Sequence, residues 1–543
     1  MAWRSPKSQS FPISLCHALC LFILIQSSHS APVSSYLVSS FSSPNPSLPF
    51  RLMAVDNTNG DVYIGAEEEI YHLGTDFVLR EAVEVGLCNI QESQYLGEQD
   101  KNRLLVIAPA PTERLITCGR CDGYCETRKL SNITDAETHY GGNDQVVVRR
   151  DDVPMVGVVA LSATQRSQYL FTGISLTHGY GIPISKFDII SFAPRQRIAY
   201  QIGHETVNYI QVMLETSYIY YTIQLKEPTT SPVIGRLCVD TTDPSLESYT
   251  QIQIECKDDT GLNFTVIQAA NIEPAGAQLA DSLSISSTND VMYAVFTKEN
   301  SSPVQSALCL YKMSDIQEKF TQAVVGCITC QSDCDERSID YLQGSLCGAE
   351  SIQCPAILLL NPSTTEPWAH TICTYPLFGS RAFAVAAPQL PTSPNPESRQ
   401  CQATEGDEKY YAYANGVNPV TASPILTFSD VEPTSIITTT ERDYTVAFIG
   451  SSEGDLLKVH ILDSSSAYHY ENVPLGQGPV LRDVFLDEDK EQIILATGSE
   501  EGSQVLKLSL ANCSNYQTCD ECIGGNDGDD GDPYCGWCAL EAR

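Results

Sequence analysis

Cysteines at metal-ligand spacing are the first residues of this 543-residue chain whose types could do chemistry. Four C-x-x-C pairs occur, at 118/121, 327/330, 519/522 and 535/538. Such pairs bind zinc as thiolates when two of them form a compact four-ligand module, and none is placed that way here. Cys535-Gly-Trp-Cys538 has the form of a redox dithiol but lacks the βαβ surround that such a motif needs. Gly450, Ser452 and Gly454 match G-x-S-x-G, yet the apolar run LLKVHIL that follows reads as a strand, where a nucleophile elbow requires a helix. The spacing predicts a hairpin turn there instead. His204-Glu205 lacks the second histidine of a zinc-protease helix. The loop GGNDGDDGD (524–532) could offer Asp527, Asp529, Asp530 and Asp532 to calcium, but without the ordered spacing of a binding loop it reads as a solvated insertion. No catalytic constellation emerges, and no cofactor or metal is expected.

The elements that would position these residues are strands. Seven segments pair an apolar run with a polar turn and a second apolar run: 51–73, 103–119, 155–176, 209–225, 281–297, 444–462 and 479–510. β-branched and aromatic residues dominate them, Asp, Asn, Ser and Gly fill the turns, and no long helical periodicity interrupts. Seven units over residues 51–511 give about 66 residues each, which suits four-stranded blades with insertions. The expected architecture is all-β, a seven-bladed propeller. Two β-sandwiches would instead need a linker near the middle, and the linker-like stretches, 386–402 and 424–434, come too late.

Residues 1–30 carry Arg4 and Lys7, an 11-residue apolar run and then Ser28 and Ser30, the pattern of a secretory signal peptide. The run is too short to span a bilayer and no later one approaches the required length. Export makes disulfides the expected state of the 19 remaining cysteines. Sequons at Asn132, Asn263, Asn300 and Asn512 fit the same route. The 32 Lys plus Arg against 67 Asp plus Glu leave a net charge of −35, which argues against nucleic acid as a partner and for a ligand with a basic contact face.

The string NCSNYQTCDECIGGNDGDDGDPYCGWCAL (512–540) resembles the start of a PSI module, the small cysteine-rich domain that follows sema propellers in semaphorins, plexins and scatter-factor receptor kinases. Within it DPYCGWC (532–538) is similar to plexins, whereas semaphorins usually have Asp where Cys538 stands. FSSPN (41–45) with MAVDNTNGDVYIGAEEEIYHL, CGRCDGYCETRKLSNIT (118–134), IGRLCVD (234–240), SALCLYKMSDI (306–316), YTVAFIGSSEGDLLKV (444–459) and GPVLRDVFL (478–486) resemble plexin strings in the same order.

The resemblance implies a sema propeller over 31–511 and an incomplete PSI module over 512–543. It also implies a receptor that binds the sema domain of semaphorins without chemistry of its own. Homo- or hetero-association of receptor ectodomains is compatible with it, and membrane attachment would come through segments beyond this chain. The chain would then lie on the extracellular side of the plasma membrane, or be secreted if it is complete. A scatter-factor-receptor-like ectodomain and a secreted semaphorin-like ligand are the alternatives. Family pairings carried over are Cys118–Cys125, Cys238–Cys347, Cys256–Cys309 and Cys513–Cys535, with Cys327–Cys334 expected beside them. Plexins usually show a pair near Cys88 and lack Cys121, and a Cys88–Cys121 bridge would reconcile both departures. The partners of Cys330, Cys354, Cys373 and Cys401, the semaphorin bound and the contact residues stay open.

Overall fold

The computed structural model describes residues 29–30, 32–85, 101–119, 125–139, 155–162, 167–177, 180–189, 194–201, 206–215, 217–226, 230–240, 246, 248–258, 260–329, 356–358, 369–371, 414–476, 478–499, 502–516 and 531–535. Most of them form a ring of seven blades, each built on four antiparallel strands, with further edge strands on blades 4 and 6. Blade 1 is Phe50–Val55, Val62–Ala66, Glu69–Leu73 and Leu79–Glu84; blade 2 is Asn102–Ala108, Arg114–Gly119, Cys125–Lys129 and Asn132–His139. Blade 3 is Met155–Leu161, Gln168–Ile174, Tyr180–Asp188 and Pro194–Gln201; blade 4 is Thr206–Glu215, Tyr218–Leu225, Ser231–Cys238 and Thr250–Lys257. Blade 5 is Val266–Pro274, Asp290–Thr297, Gln305–Lys312 and Pro424–Ser429; blade 6 is Pro433–Glu441, Tyr444–Ser451, Asp455–Ile461 and Ala467–Pro474. Blade 7 takes Phe485–Leu486, Gln492–Ser499 and Gly502–Ser509 from the end of the ring and Leu37–Ser42 from its beginning. That last strand pairs antiparallel with the third, Leu37 opposite Leu508 and Ser42 opposite Gln504, so the two ends of the ring close it.

The strand sequences follow from this stacking. A middle strand has a blade on each side, so both of its faces are buried and it reads as a continuous apolar run. Val62–Ala66 is buried at every position, and Tyr218–Leu225 at all but its two ends. An outer strand meets water and alternates, as Leu79–Glu84 does. Seven apolar clusters fill the seven seams between neighbouring blades. Across the central channel, Arg482 Nη1 donates to Ile210 O at 3.1 Å and Met155 O at 3.4 Å, and Asp483 accepts from Met53 N at 3.2 Å. The segment entering blade 7 thus ties down the inner strands of blades 1, 3 and 4.

Three expectations from the sequence are corrected. Residues 424–434 are not a linker but the outer strand of blade 5 and the start of blade 6; Pro424 and Pro433 open strands, a position that needs no ladder donor. Helices do interrupt the strands: α1 (Ala277–Leu283) and the 17-residue α2 (Met313–Thr329). The first half of the 281–297 segment, expected as a strand, is instead the last turn of α1 and the loop after it, and the inner strand of blade 5 comes earlier, at Val266–Pro274. α2 buries Met313, Ile316, Phe320 and Ala323, an i, i+3, i+4 spacing, over the seam between blades 4 and 5. It begins the insertion between the third and fourth strands of blade 5, from which Ala414–Ala422 returns to pair in parallel with the outer strand of blade 4.

Candidate functional site

The G-x-S-x-G residues lie on a hairpin between Tyr444–Ser451 and Asp455–Ile461, with strand on both sides. Gly454 has φ +86°, and a Cβ there would lie 2.6 Å from Gly478 O, so the motif serves a tight turn. Among the described residues no group of three or more His, Cys, Asp and Glu side chains is arranged to hold a metal. His204 and Glu205 lie outside the described residues, as do Asp527, Asp529 and Asp530.

A cleft of about 500 Å³ opens between blades 1 and 2. In its wall His72 Nε2 lies 3.0 Å from Asp61 Oδ2, which also accepts from Arg80 at 2.6 Å, and the imidazole stacks on Tyr63 with centroids 4.6 Å apart. Tyr63 donates to Leu130 O at 2.7 Å and Glu81 accepts from Ile133 N at 2.7 Å, so blade 1 side chains fasten the outer turn of blade 2. Burial and the neighbouring Asp61 push the Tyr63 phenol well above its ordinary value, keeping it a neutral donor. The polar groups of this cleft bind one another and set blade geometry. A second cleft, of about 560 Å³ between blades 4 and 5, has Asn300 on its rim.

A dense polar site lies at the junction where the N-terminal segment and the C-terminal cysteine-rich segment meet blade 6. Lys458 and Glu471 side chains are each 1% exposed and lie 2.9 Å apart, Nζ to Oε2. Lys458 also donates to Leu510 O at 2.9 Å and sits 3.7 Å from the centroid of the Tyr36 ring. Tyr36 donates to Glu471 Oε1 at 2.5 Å. From the C-terminal cysteine-rich segment comes Asp532, which is buried and accepts from the Tyr516 hydroxyl at 3.1 Å and from Tyr534 N at 3.0 Å. Burial, opposed by Glu471, pushes the Lys458 ammonium down, and burial pushes the Asp532 carboxyl up. Asp532 is therefore buried and hydrogen-bonded rather than solvated, which corrects the expectation for that residue, while 524–530 lie outside the described residues. Lys458 stands out in the sequence as a charge inside the apolar run DLLKVHIL, but Tyr36 and Glu471 are 435 residues apart and nothing local links them.

Cys118 is bonded to Cys125, its cross-strand neighbour in blade 2; Cys256 is bonded to Cys309 across the seam of blades 4 and 5; Cys513 is bonded to Cys535 in the C-terminal segment. Cys238 is disulfide-bonded and buried, while Cys347 lies outside the described residues, as do Cys88, Cys121, Cys330, Cys334, Cys354, Cys373 and Cys401. Cys327 falls in α2. Asn132, Asn263 and Asn300 are exposed, whereas Asn512 is half-buried and donates to Ser35 O at 2.6 Å. Among the described residues no helix is long and apolar enough to cross a membrane.

Comparison with known proteins places this geometry. Residues 267–487 match the Sema domain family model. Plexin-B2 of Mus musculus is 26% identical over 527 residues, covering 90% of this chain and 25% of its own length. The chain thus spans about a quarter of the curated relatives it matches. The extracellular region of plexin A4 superposes with a TM-score of 0.65 at 20% identity, covering 93% of this chain and 54% of that one. Drosophila plexin A, solved in complex with semaphorin 1b, gives a TM-score of 0.54 at 14% identity, covering 90% of this chain and 89% of that one. The ring of seven blades closed by the N-terminal strand thus shares the fold of solved plexin ectodomains, part of it matches the Sema domain model, and plexins are among its sequence relatives.

Proposed function

We propose that this chain is the semaphorin-binding end of a plexin-like cell-surface receptor, lying outside the cell and acting as a rigid docking surface without chemistry. The observation that carries this reading is the solved complex of Drosophila plexin A with semaphorin 1b, whose fold this chain shares along nearly its whole length. The arrangement of the polar groups supports it: the ions of the blade 1–2 cleft and of the junction are spent on holding blades and chain ends together. A ring locked in this way presents loops at defined positions, which suits a large protein partner. The reading includes a leader over 1–30, a propeller over 31–511 and the start of a PSI module from 512. It further includes glycans on exposed sequons and bridges Cys238–Cys347, Cys327–Cys334 and Cys88–Cys121.

The test is surface binding of secreted residues 31–543 to semaphorin ectodomains from the same organism, presented as monomers and as dimers, since linked sites strengthen weak contacts. Saturable binding to at least one semaphorin, weakening with salt as an acidic surface requires, is the expected result. A correctly folded ring that binds none of them in either form would overturn the proposal.

A further inference from the structure

The cluster that fastens the C-terminal segment to the propeller holds more carboxylates than cations. Glu471 and Asp532 are both buried, and Lys458 is the ammonium that faces them. With all three ionised, a dry space would carry one uncompensated negative charge, which is costly in a medium of low dielectric. Lys458 is already committed to Glu471 at 2.9 Å, and the hydrogen bonds that Asp532 accepts come from neutral donors, a phenol and a backbone amide. Proton uptake by Asp532 removes the excess charge at the group with the weaker claim on the cation.

We propose that docking of the C-terminal segment on the propeller is linked to protonation of Asp532, so that the junction tightens as the pH falls. This inference stands apart from the identity of the ligand.

The groups facing the site come from three sides. The N-terminal segment supplies Tyr36; blade 6 supplies Lys458, Tyr470 and Glu471, with Glu441 beside Tyr534; the segment itself supplies Tyr516 and Tyr534. Tyr470, Tyr516 and Tyr534 are held above their ordinary values, mainly by burial, and stay neutral through the range considered. Burial holds the Asp532 carboxyl above its ordinary value of 3.8 and Glu471 adds to this, while the Lys458 charge opposes. An acid raised on docking contributes stability that is complete below its free value and is lost as the pH rises through its docked value. His469, next to Tyr470, works the other way: burial holds its imidazole below the ordinary value, so charging it in acid weakens the fold. Asp532→Asn separates the two, because the Asn oxygen still accepts from Tyr534 N and its amide can donate to the Tyr516 hydroxyl, as a protonated carboxyl would, but it cannot titrate.

The experiment is hydrogen–deuterium exchange on the full secreted chain at pH 7.5, 6.5 and 5.5, corrected for intrinsic exchange, following peptides that cover 512–516 and 531–535. Wild-type protection is expected to rise about threefold or more towards pH 5.5, with Asp532→Asn well protected at all three values. Flat or falling protection in the wild type, or a wild-type slope in Asp532→Asn, would overturn the proposal. If the Asn variant is not secreted, Tyr516→Phe serves. It removes a donor that favours the ionised carboxylate, so the midpoint of the pH profile should move to higher pH, and an unmoved midpoint would count against the proposal.

Discussion

The seam between blades 6 and 7 and the seam between blades 4 and 5 are both fully buried, and they are held by different forces. Between blades 4 and 5 the packing is almost wholly apolar: Tyr220, Ile234, Ile252, Met292 and Phe296 with Ile316 and Phe320 of α2. A buried cation there, Arg236, lies between the rings of Tyr218 and Phe320, 4.6 Å from each centroid. The seam of blades 6 and 7 has its own apolar residues, but where the two chain ends arrive it is organised by Lys458, Glu471 and Asp532. Apolar burial is non-directional, so the first seam can accept an inserted helix and an extra parallel strand. Buried charge is unforgiving of misplacement, so the second fixes where the N-terminal strand and the C-terminal segment must sit.

The contrast breaks first at the ion pair. Glu471→Leu takes from the Lys458 ammonium its 2.9 Å partner and should cost about 3–5 kcal/mol in chemical denaturation, whereas Lys458→Met combined with Glu471→Leu should return to within about 2 kcal/mol of wild type. A double variant as unstable as the single one would mean that shape, not charge, organises the junction. At the apolar seam Phe320→Ala should cost about 3–4 kcal/mol, with the loss concentrated in α2 and the outer strand of blade 4 when exchange is read peptide by peptide. Uniform loss around the ring would show that the insertion is part of the ring's core.

The smallest expected effect sharpens the comparison with a third buried cation. Lys186 in blade 3 donates to Val239 O at 3.2 Å and lies 4.2 Å from the Tyr169 centroid, and burial holds it down to about 8. A cation depressed on folding penalises the fold below its folded value, and the penalty is relieved as the pH rises from about 8 towards 10.5. Thermal stability should therefore climb over that interval, and Lys186→Met should abolish the climb and add on the order of 1 kcal/mol at neutral pH. An identical climb in the variant would assign it to other groups.

Six of the seven expected strand pairs were legible because a blade sandwiched between neighbours needs apolar residues on both faces, which leaves runs such as VYIGA and YIYYTIQL in the sequence. α2 escaped notice because its apolar stripe, Met313, Ile316, Phe320 and Ala323, continues without a break from the strand SALCLYK before it. The prolines at 424 and 433 misled for the opposite reason, since a proline at the first residue of a strand is written like one in a linker. In the junction, Lys458 could be singled out as a charge in a buried strand, while its partners could not be named.

The sequence alone therefore determined the strands, the hairpin turn at Gly454 and the number of blades, each of which depends on neighbours a few residues apart. Tertiary structure decided the closure of Leu37–Ser42 on Gly502–Ser509, the span of Arg482 across the channel and the meeting of Tyr36, Lys458, Glu471 and Asp532. These join residues separated by hundreds of positions, and only the curvature of the stacked blades, summed around a closed ring, sets the distances at which they meet.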